Sequence, residues 1–551
     1  RQVGGRLVTL RSPFAACREA PDSPACQQAL RRLRNSYYLG EEPGLTQSSG
    51  WADAWTSAPS AYAVAARSTA DVAAAVDFAR ENRLRLVVKG GGHSYQGTSC
   101  APDSLLIWMR RMDGIALHDA FIGQGCEGRV APQPAVSMGA GAIWMQVYEA
   151  VTTRGGRYVQ GGGCTTVGVA GLIQGGGFGS FSKAYGLAAA GLLEAEIVTA
   201  DGAVRIANAC TNPDLFWALK GGGGGSFGVI TRLALRTHPL PEFLGGVFGT
   251  IRASSDTAYR RLVARFMGFY ADRLLNPHWG EMARFGPDNT LAIAMVFQGL
   301  GQGQAEAAWR DFLDWVAASP RDFALAAPFR ILAMPARHLW DAAWLTRYVP
   351  GLAIADDRPG SPAGNFVWAG DARQAGQFTH GYGSRWLPAS LLAQDRQGRL
   401  CDGLLAASRH WPVTLHLNKG LAGALAEAIA AAGDTAIHPS ALEAFALAIS
   451  AAEGPPAFPG LPGREPDLPA ARRRAAAVAA AMEEIRELAP DAGSYVAEGN
   501  FFEADWQDAH WGPNYPRLLA VKERYDPAGL FFVHHGVGSE GWSADGFTRL
   551  R

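Results

Sequence analysis

The sequence predicts an α+β fold with more than one core, and three observations carry that expectation. The chain has 551 residues, too many for one ordinary hydrophobic core. Residues 58–240 alternate helix and strand signals that are broken by runs of glycine. Residues 241–490 mix amphipathic strands with alanine-rich helices, the pattern of an antiparallel sheet covered on one side by helices.

The elements follow in order after an N-terminal segment, 1–57. Ser68 and Thr69 offer a helix cap before "ADVAAAVDFAREN", which sets Val72, Ala75, Val76 and Ala79 on one face. The strand "RLRLVV" then runs into Gly90-Gly91-Gly92. A second unit of the same kind has the helix "AIWMQVYEAVTTRG", the strand "RYVQ" and Gly161-Gly162-Gly163-Cys164. Two β-rich pieces in "LEAEIVTADGAVRIAN" meet at Asp201-Gly202, a hairpin turn signal. "NPDLFWALKGGGGGSFGVITRLALRTHPLP" reads as short helix, glycine run, strand and a proline stop near 240. Beyond it, "GEMARF", "TLAIAMVFQ" and "PVTLHLNKG" are strands, while "AEAAWRDFLDWVAAS" and "ALAEAIAAAGD" are helices. "EGPPAFPGLPGREPDLPA" is a proline-rich excursion, and 491–551 form a segment too aromatic to be a disordered tail.

Lys and Arg total 50 against 50 Asp and Glu, a balance that recruits neither nucleic acid nor an anionic membrane. No run of eighteen apolar residues is present to span a bilayer. The start at Arg1 suits either a removed signal peptide or a trimmed chain. The seven cysteines include no CxxC pair, so no zinc site is expected and no metal is assigned. Cys17 and Cys26 flank a turn-rich segment that can close as a disulfide loop, which favours an oxidising compartment; the alternative is scattered buried thiols.

Glycine, at 67 residues, concentrates in the runs 90–92, 161–163, 175–177 and 221–225, where bare backbone can approach a ligand closely. Runs after strands commonly bind phosphate through free N–H groups. The dinucleotide pattern GxGxxG occurs at 123–128, 223–228 and 536–541, but never between a strand and a following helix, so a nucleotide would be held by another architecture. His93 follows one run and Cys164 another. Either alone reads as a loop or core residue. At equivalent places in two glycine loops they read together as nucleophiles aimed at one electrophilic ring, a flavin, with imidazole on the 8α carbon and thiolate on C6.

"VVKGGGHSYQGTS", "GGGCTTVGVAGLIQGGGFGSFSKAYGLAA", "NPDLFWALKGGGGGSFGVIT" and "HWGPNYPRLLAVKERYDP", in this order, resemble the berberine-bridge-enzyme-like FAD oxidases of the vanillyl-alcohol-oxidase superfamily. The resemblance is strong over about 55–240 and the last sixty residues and loose between them. It implies a two-subdomain PCMH-type FAD-binding domain over 58–240, a substrate domain over 241–490, and a C-terminal segment returning to the flavin. It implies FAD bound covalently through both His93 and Cys164. The backbone from Lys89 through Gly90, Gly91 and Gly92 to His93, with Ser94, Thr98 and Ser99, would line the diphosphate and ribityl chain. Thr166, Gly168, Gly171, Gly176, Gly177, Tyr185 and Ile230 would contact the rest, and Asn514-Tyr515 resembles a flavin-adjacent pair. In the family the position three after the flavin cysteine gates oxygen. Here it is Val167, small enough to admit it. One departure is Ala190-Gly191, where relatives carry Asp-Asn.

The same resemblance implies hydride transfer from an alcohol-type substrate, a sugar, an aromatic alcohol or a secondary metabolite, with O2 reduced to H2O2. The partners are then a small molecule and oxygen, with no nucleic acid and no membrane, and the location secreted or periplasmic. The alternatives are oxidative ring closure of an alkaloid- or polyketide-like substrate, a dehydrogenase using another acceptor, and a flavin-loaded binding protein without turnover. A base must take the hydroxyl proton. The candidates are Tyr515, Tyr495, Glu498 and Lys419, the lysine serving to favour a phenolate. His534 and His535, read as neighbours in a strand, point to opposite faces and cannot share a ligand. Trp340, Trp344, Trp368, Trp386, Trp411, Trp506 and Trp511 are aromatics expected to cover the flavin or fill a core.

Overall fold

A computed structural model describes residues 3–550, which leaves Arg1 outside the described residues. Three sheets organise it. The first has four strands in the order Leu7–Thr9, Tyr62–Ala65, Leu105–Trp108, Leu86–Lys89, the last three mutually parallel. The second has five antiparallel strands and runs from Val204–Asn208 through Leu192–Val198, Val229–Arg236 and Gln133–Gly139 to Ile115–Phe121. The third has nine strands: Phe323–Pro335, Phe243–Ala253, Thr290–Gln298, Trp279–Phe285, Val413–His416, Ala444–Gly454, Phe378–Pro388, and the short pair Gly50–Trp51 and Trp55–Thr56.

The local signals account for these elements. Helix Thr69–Glu81 starts where Ser68 and Asp71 cap each other, and it buries Val72, Ala75, Val76 and Ala79. The hairpin turns at Asp201-Gly202, where Gly202 takes φ 78°. Helix Asp256–Phe269, helix Gln302–Ala317 and helix Leu468–Leu488 bury their apolar stripes in one core under the nine-stranded sheet, with Phe266, Trp309 and Ile485 fully enclosed. The long helix follows the proline-rich excursion, which is irregular.

The structure corrects several details. The helix expected over 142–155 is α-helical only at Trp144–Tyr148 and continues as a π-turn over Glu149–Arg154. From the region 241–490, Met334, Trp340, Leu345 and Phe366 pack into the same core as the four- and five-stranded sheets. Trp511, Leu518 and Phe531 of the C-terminal segment join that core too. His534 and His535 are not in a strand. They form a turn in which His535 has φ 51°, so the two rings stack with centroids 3.8 Å apart instead of diverging. Disulfides join Cys17 to Cys26 and Cys126 to Cys210. Cys100, Cys164 and Cys401 are free thiols.

Candidate active site

A cavity of about 1070 Å³ lies between the two smaller sheets and the face of the nine-stranded one. Its floor is backbone from separate glycine runs. A Cβ on Gly91 would stand 2.6 Å from the Gly168 nitrogen, and one on Gly168 would stand 2.7 Å from the Gly91 nitrogen. The two loops therefore touch backbone to backbone, which only glycine permits. Gly90, Gly91, Gly92, His93, Ser94 and Thr98 line this floor. Ser99, Cys164, Val167, Gly168, Gly171 and Ile230 continue it.

His93 and Cys164 open onto the same space. His93 Nε2 is 2.9 Å from the Thr166 hydroxyl, which leaves Nδ1 as the nitrogen free to act. Burial lowers its pKa to about 4, so the ring is neutral and keeps a lone pair. The Cys164 thiol donates to Asp371 Oδ2 at 3.6 Å. Burial, then the Asp371 carboxylate beside it, pushes the thiol well above its usual range. Asp371 is itself raised by burial. Trp368 Nε1 donates to Gly163 O at 3.0 Å and fixes the loop that presents the cysteine.

Across the cavity, Lys419 Nζ lies 2.5 and 2.7 Å from the two Glu498 oxygens, and both residues line the wall. Tyr495 also lines it, but its hydroxyl accepts the Gly177 N–H at 3.2 Å and burial raises its pKa. Tyr515 is not brought to the site. Its hydroxyl donates to Glu540 at 2.6 Å and accepts the Gly538 N–H at 3.1 Å, outside the cavity. Asn514 is likewise outside and spends its amide on Ile437 O at 2.8 Å.

Other expected contacts act from behind the lining. The Lys89 ammonium is buried against the carbonyls of Glu42, Pro43 and Leu45 at 2.8–2.9 Å, so it ties down the N-terminal segment. Thr166 holds His93 and lines a small adjoining pocket with His93 and Cys164. Gly176 and Gly177 shape the turn under Ile437 and Leu172, and Tyr185 stacks on Tyr158 with centroids 4.2 Å apart. Of the tryptophans, Trp340, Trp368 and Trp511 line the cavity; Trp344, Trp386, Trp411 and Trp506 do not.

Sequence reasoning missed Asp371, Glu281 and Tyr382, which line the cavity from the less recognisable half of the chain. Asp371 sits in an irregular loop with no motif. Glu281 lies in the strand "WGEMARF", where alternation alone assigns it to the wrong face. His510, 2 % exposed, lines the cavity with neither ring nitrogen hydrogen-bonded; Gln96 and Gln174 also carry an unpartnered amide oxygen there. Bare glycine floors with buried polar atoms left unsatisfied fit a large ligand carrying phosphates and a polar ring system, as FAD does.

Comparison with known proteins agrees. Residues 59–208 match the family described as FAD binding domain, and 494–538 the one described as berberine and berberine like. An FAD-linked oxidoreductase of Penicillium thymicola is 30% identical over 579 residues, covering 100% of this chain and 91% of its own. The crystal structure of a VAO-type flavoprotein from Myceliophthora thermophila C1 superposes with a TM-score of 0.78 at 26% identity, covering 100% of this chain and 96% of that one. The glucooligosaccharide oxidase of Acremonium strictum, described with a 6-S-cysteinyl, 8α-N1-histidyl FAD, shares the fold at TM-score 0.64 and 18% identity, covering 96% and 99%. The chain belongs to the FAD-linked oxidoreductases of the vanillyl-alcohol-oxidase type, with a berberine-like C-terminal segment.

Proposed function

We propose that this oxidoreductase is an oxidase that removes a hydride from an alcohol-type carbon and releases hydrogen peroxide, with FAD held covalently by His93 and Cys164. The observation that carries the reading is the opening of His93, Cys164 and the Lys419–Glu498 pair onto one cavity. FAD, when bound, supplies the hydride acceptor and passes both electrons to dioxygen. The residues of the chain do the rest. Neutral His93 offers Nδ1 as a nucleophile while Thr166 holds Nε2. Asp371 accepts the proton of the Cys164 thiol and frees the sulfur as thiolate. Val167, small and at the cavity wall, leaves a path for oxygen.

Of the four candidate bases, Glu498 is favoured. It faces the cavity, its carboxylate accepts from Lys419, and it takes the substrate hydroxyl proton as the C–H bond is broken. Lys419 keeps that carboxylate oriented and is a positioning residue. The two disulfides support a secreted or periplasmic location.

Peroxide release and anaerobic bleaching of the flavin with a panel of alcohols test the reading. Glu498→Gln is expected to lower kcat by about 10²–10⁴-fold while leaving the flavin bound. Failure of every alcohol to reduce the flavin would leave a binding protein without turnover.

A further inference from the structure

The face of the nine-stranded sheet that closes the cavity is divided in two. On the three strands Phe323–Pro335, Phe243–Ala253 and Thr290–Gln298, the side chains presented to the cavity are Leu332, Met334, Leu244, Phe248, Ala294 and Val296, all apolar. Gly246 lets the Phe248 ring lie flat along its own strand, because a Cβ there would stand 2.5 Å from the ring. Leu339, Trp340, Leu352 and Trp368 overhang this half and extend the apolar wall. The neighbouring strands are mixed: they present Arg284, His416, Glu453 and Tyr382 among the apolar Met282, Ile449 and Ala451.

Glu281 stands at the seam between the halves, held there by an unusual backbone. In the ladder it pairs with Met295, whose side chain is buried in the core on the far side of the sheet. A regular strand would send Glu281 into that core. Its φ of 68° turns it to the cavity instead, where it accepts from Ser180 at 2.5 Å and from Asn418 at 3.5 Å. A left-handed glutamate inside a strand is backbone strain that the surroundings must sustain. Asn418, 4 % exposed and also on the cavity wall, has its amide oxygen unpartnered. At the seam the Asn418 oxygen thus lacks a donor, beside a carboxylate whose two donors both go to one oxygen, Oε1.

We propose that the substrate is an amphipathic molecule with an extended aromatic or polycyclic apolar body and one hydrogen-bond-donating group, and that it is not an oligosaccharide. The body lies over Leu332, Val296 and Phe248; the donor, a hydroxyl or a protonated amine, meets Glu281 and the Asn418 oxygen. A sugar would desolvate many hydroxyls against a wall that offers them no partner. The inference rests on the oxidase reading for which carbon is oxidised, but binding tests it separately.

The test uses the flavin-loaded enzyme under anaerobic conditions, with binding followed by the flavin spectrum and by tryptophan fluorescence. The probes are biphenyl-4-ylmethanol, 1-benzyl-1,2,3,4-tetrahydroisoquinoline and cellobiose. Both aryl probes are expected to bind at least roughly tenfold more tightly than cellobiose. Leu332→Asn is expected to weaken the aryl probes by roughly tenfold and leave cellobiose unchanged. Glu281→Gln distinguishes the donors: it weakens the amine more than the alcohol if the donor is cationic, and both alike if it is a hydroxyl. Equal or tighter binding of cellobiose, or no binding by either aryl probe, overturns the inference. Flavin reduction by cellobiose alone overturns it and leaves the oxidase reading standing. Tight aryl binding without reduction by any alcohol does the reverse.

Discussion

His93 and Cys164 face opposite electrostatic requirements in one site. Burial helps the histidine, because it keeps the imidazole neutral and nucleophilic. Burial hinders the cysteine, because it favours the thiol over the reactive thiolate. Asp371 adds to that penalty as a neighbouring carboxylate, yet it is also the group placed to accept the thiol proton. The two attachments therefore differ in what they need. His93→Ala and Cys164→Ala are each expected to retain flavin after acid precipitation through the remaining bond, and the double variant to release it. Asp371→Asn is expected to slow the cysteine bond alone, read as a growing fraction of singly attached flavin by mass. Loss of flavin from the wild-type protein on precipitation would sink the covalent reading. At this scale the sequence was most informative, since two nucleophiles after two glycine runs needed no tertiary context to be noticed. Asp371 and Glu281 were illegible, because one depends on a loop closing from 207 residues away and the other on a single strained dihedral.

The glycine loops behave as paired elements. Gly91 and Gly168 lie face to face, so a side chain on either must push the other loop's backbone, which cannot rotate aside as a flexible side chain can. Gly168→Val is expected to cost about 1–3 kcal/mol from overpacking and to lower flavin content further, measured as the unfolding midpoint in urea and the ratio of flavin to protein absorbance. A wild-type midpoint with full flavin loading would remove the claim that the two loops hold each other. Elements with local signals were readable. Helix Thr69–Glu81 carries its cap and stripe in its own residues, and the hairpin at Asp201-Gly202 carries its turn. The excursion of 334–368 onto the other core was not, because burial against a distant partner leaves no period in the sequence. Tyr515 fails for the same reason: Asn-Tyr reads as a flavin contact until Glu540, twenty-five residues on, is seen to hold the hydroxyl.

Across the whole molecule, acid is expected to weaken the fold through histidines buried in neutral form. Burial lowers the pKa of His510 to about 3, and the nearby His534 and His438 disfavour its protonation further. Unfolded, its pKa is about 6.5. The unfolded chain thus binds the extra proton between those values, so stability rises with pH across that window and is level above it, by up to about 1.4 kcal/mol per pH unit from this residue. His510→Phe is expected to flatten the urea-midpoint profile between about pH 4 and 7; an unchanged slope would show that the imidazole is not held neutral. The α+β class and the order of the large regions followed from the alternation and the glycine runs, whereas the division of labour along the nine-stranded sheet needed the register.

The N-terminal segment joins both sides of the cavity. Leu7–Thr9 pairs with Tyr62–Ala65, and Gly50–Trp51 pairs with Phe378–Thr379 of the large sheet. Between them Gln47 donates its N–H to Gly92 O at 2.9 Å and accepts from Gly376 N at 2.8 Å, one residue bonded to the flavin loop and to the opposite wall at once. Through these pairings the segment ties the two walls together. The consequence is mechanical: opening the cavity like a hinge would first have to part Gly50–Trp51 from the large sheet and release both Gln47 bonds.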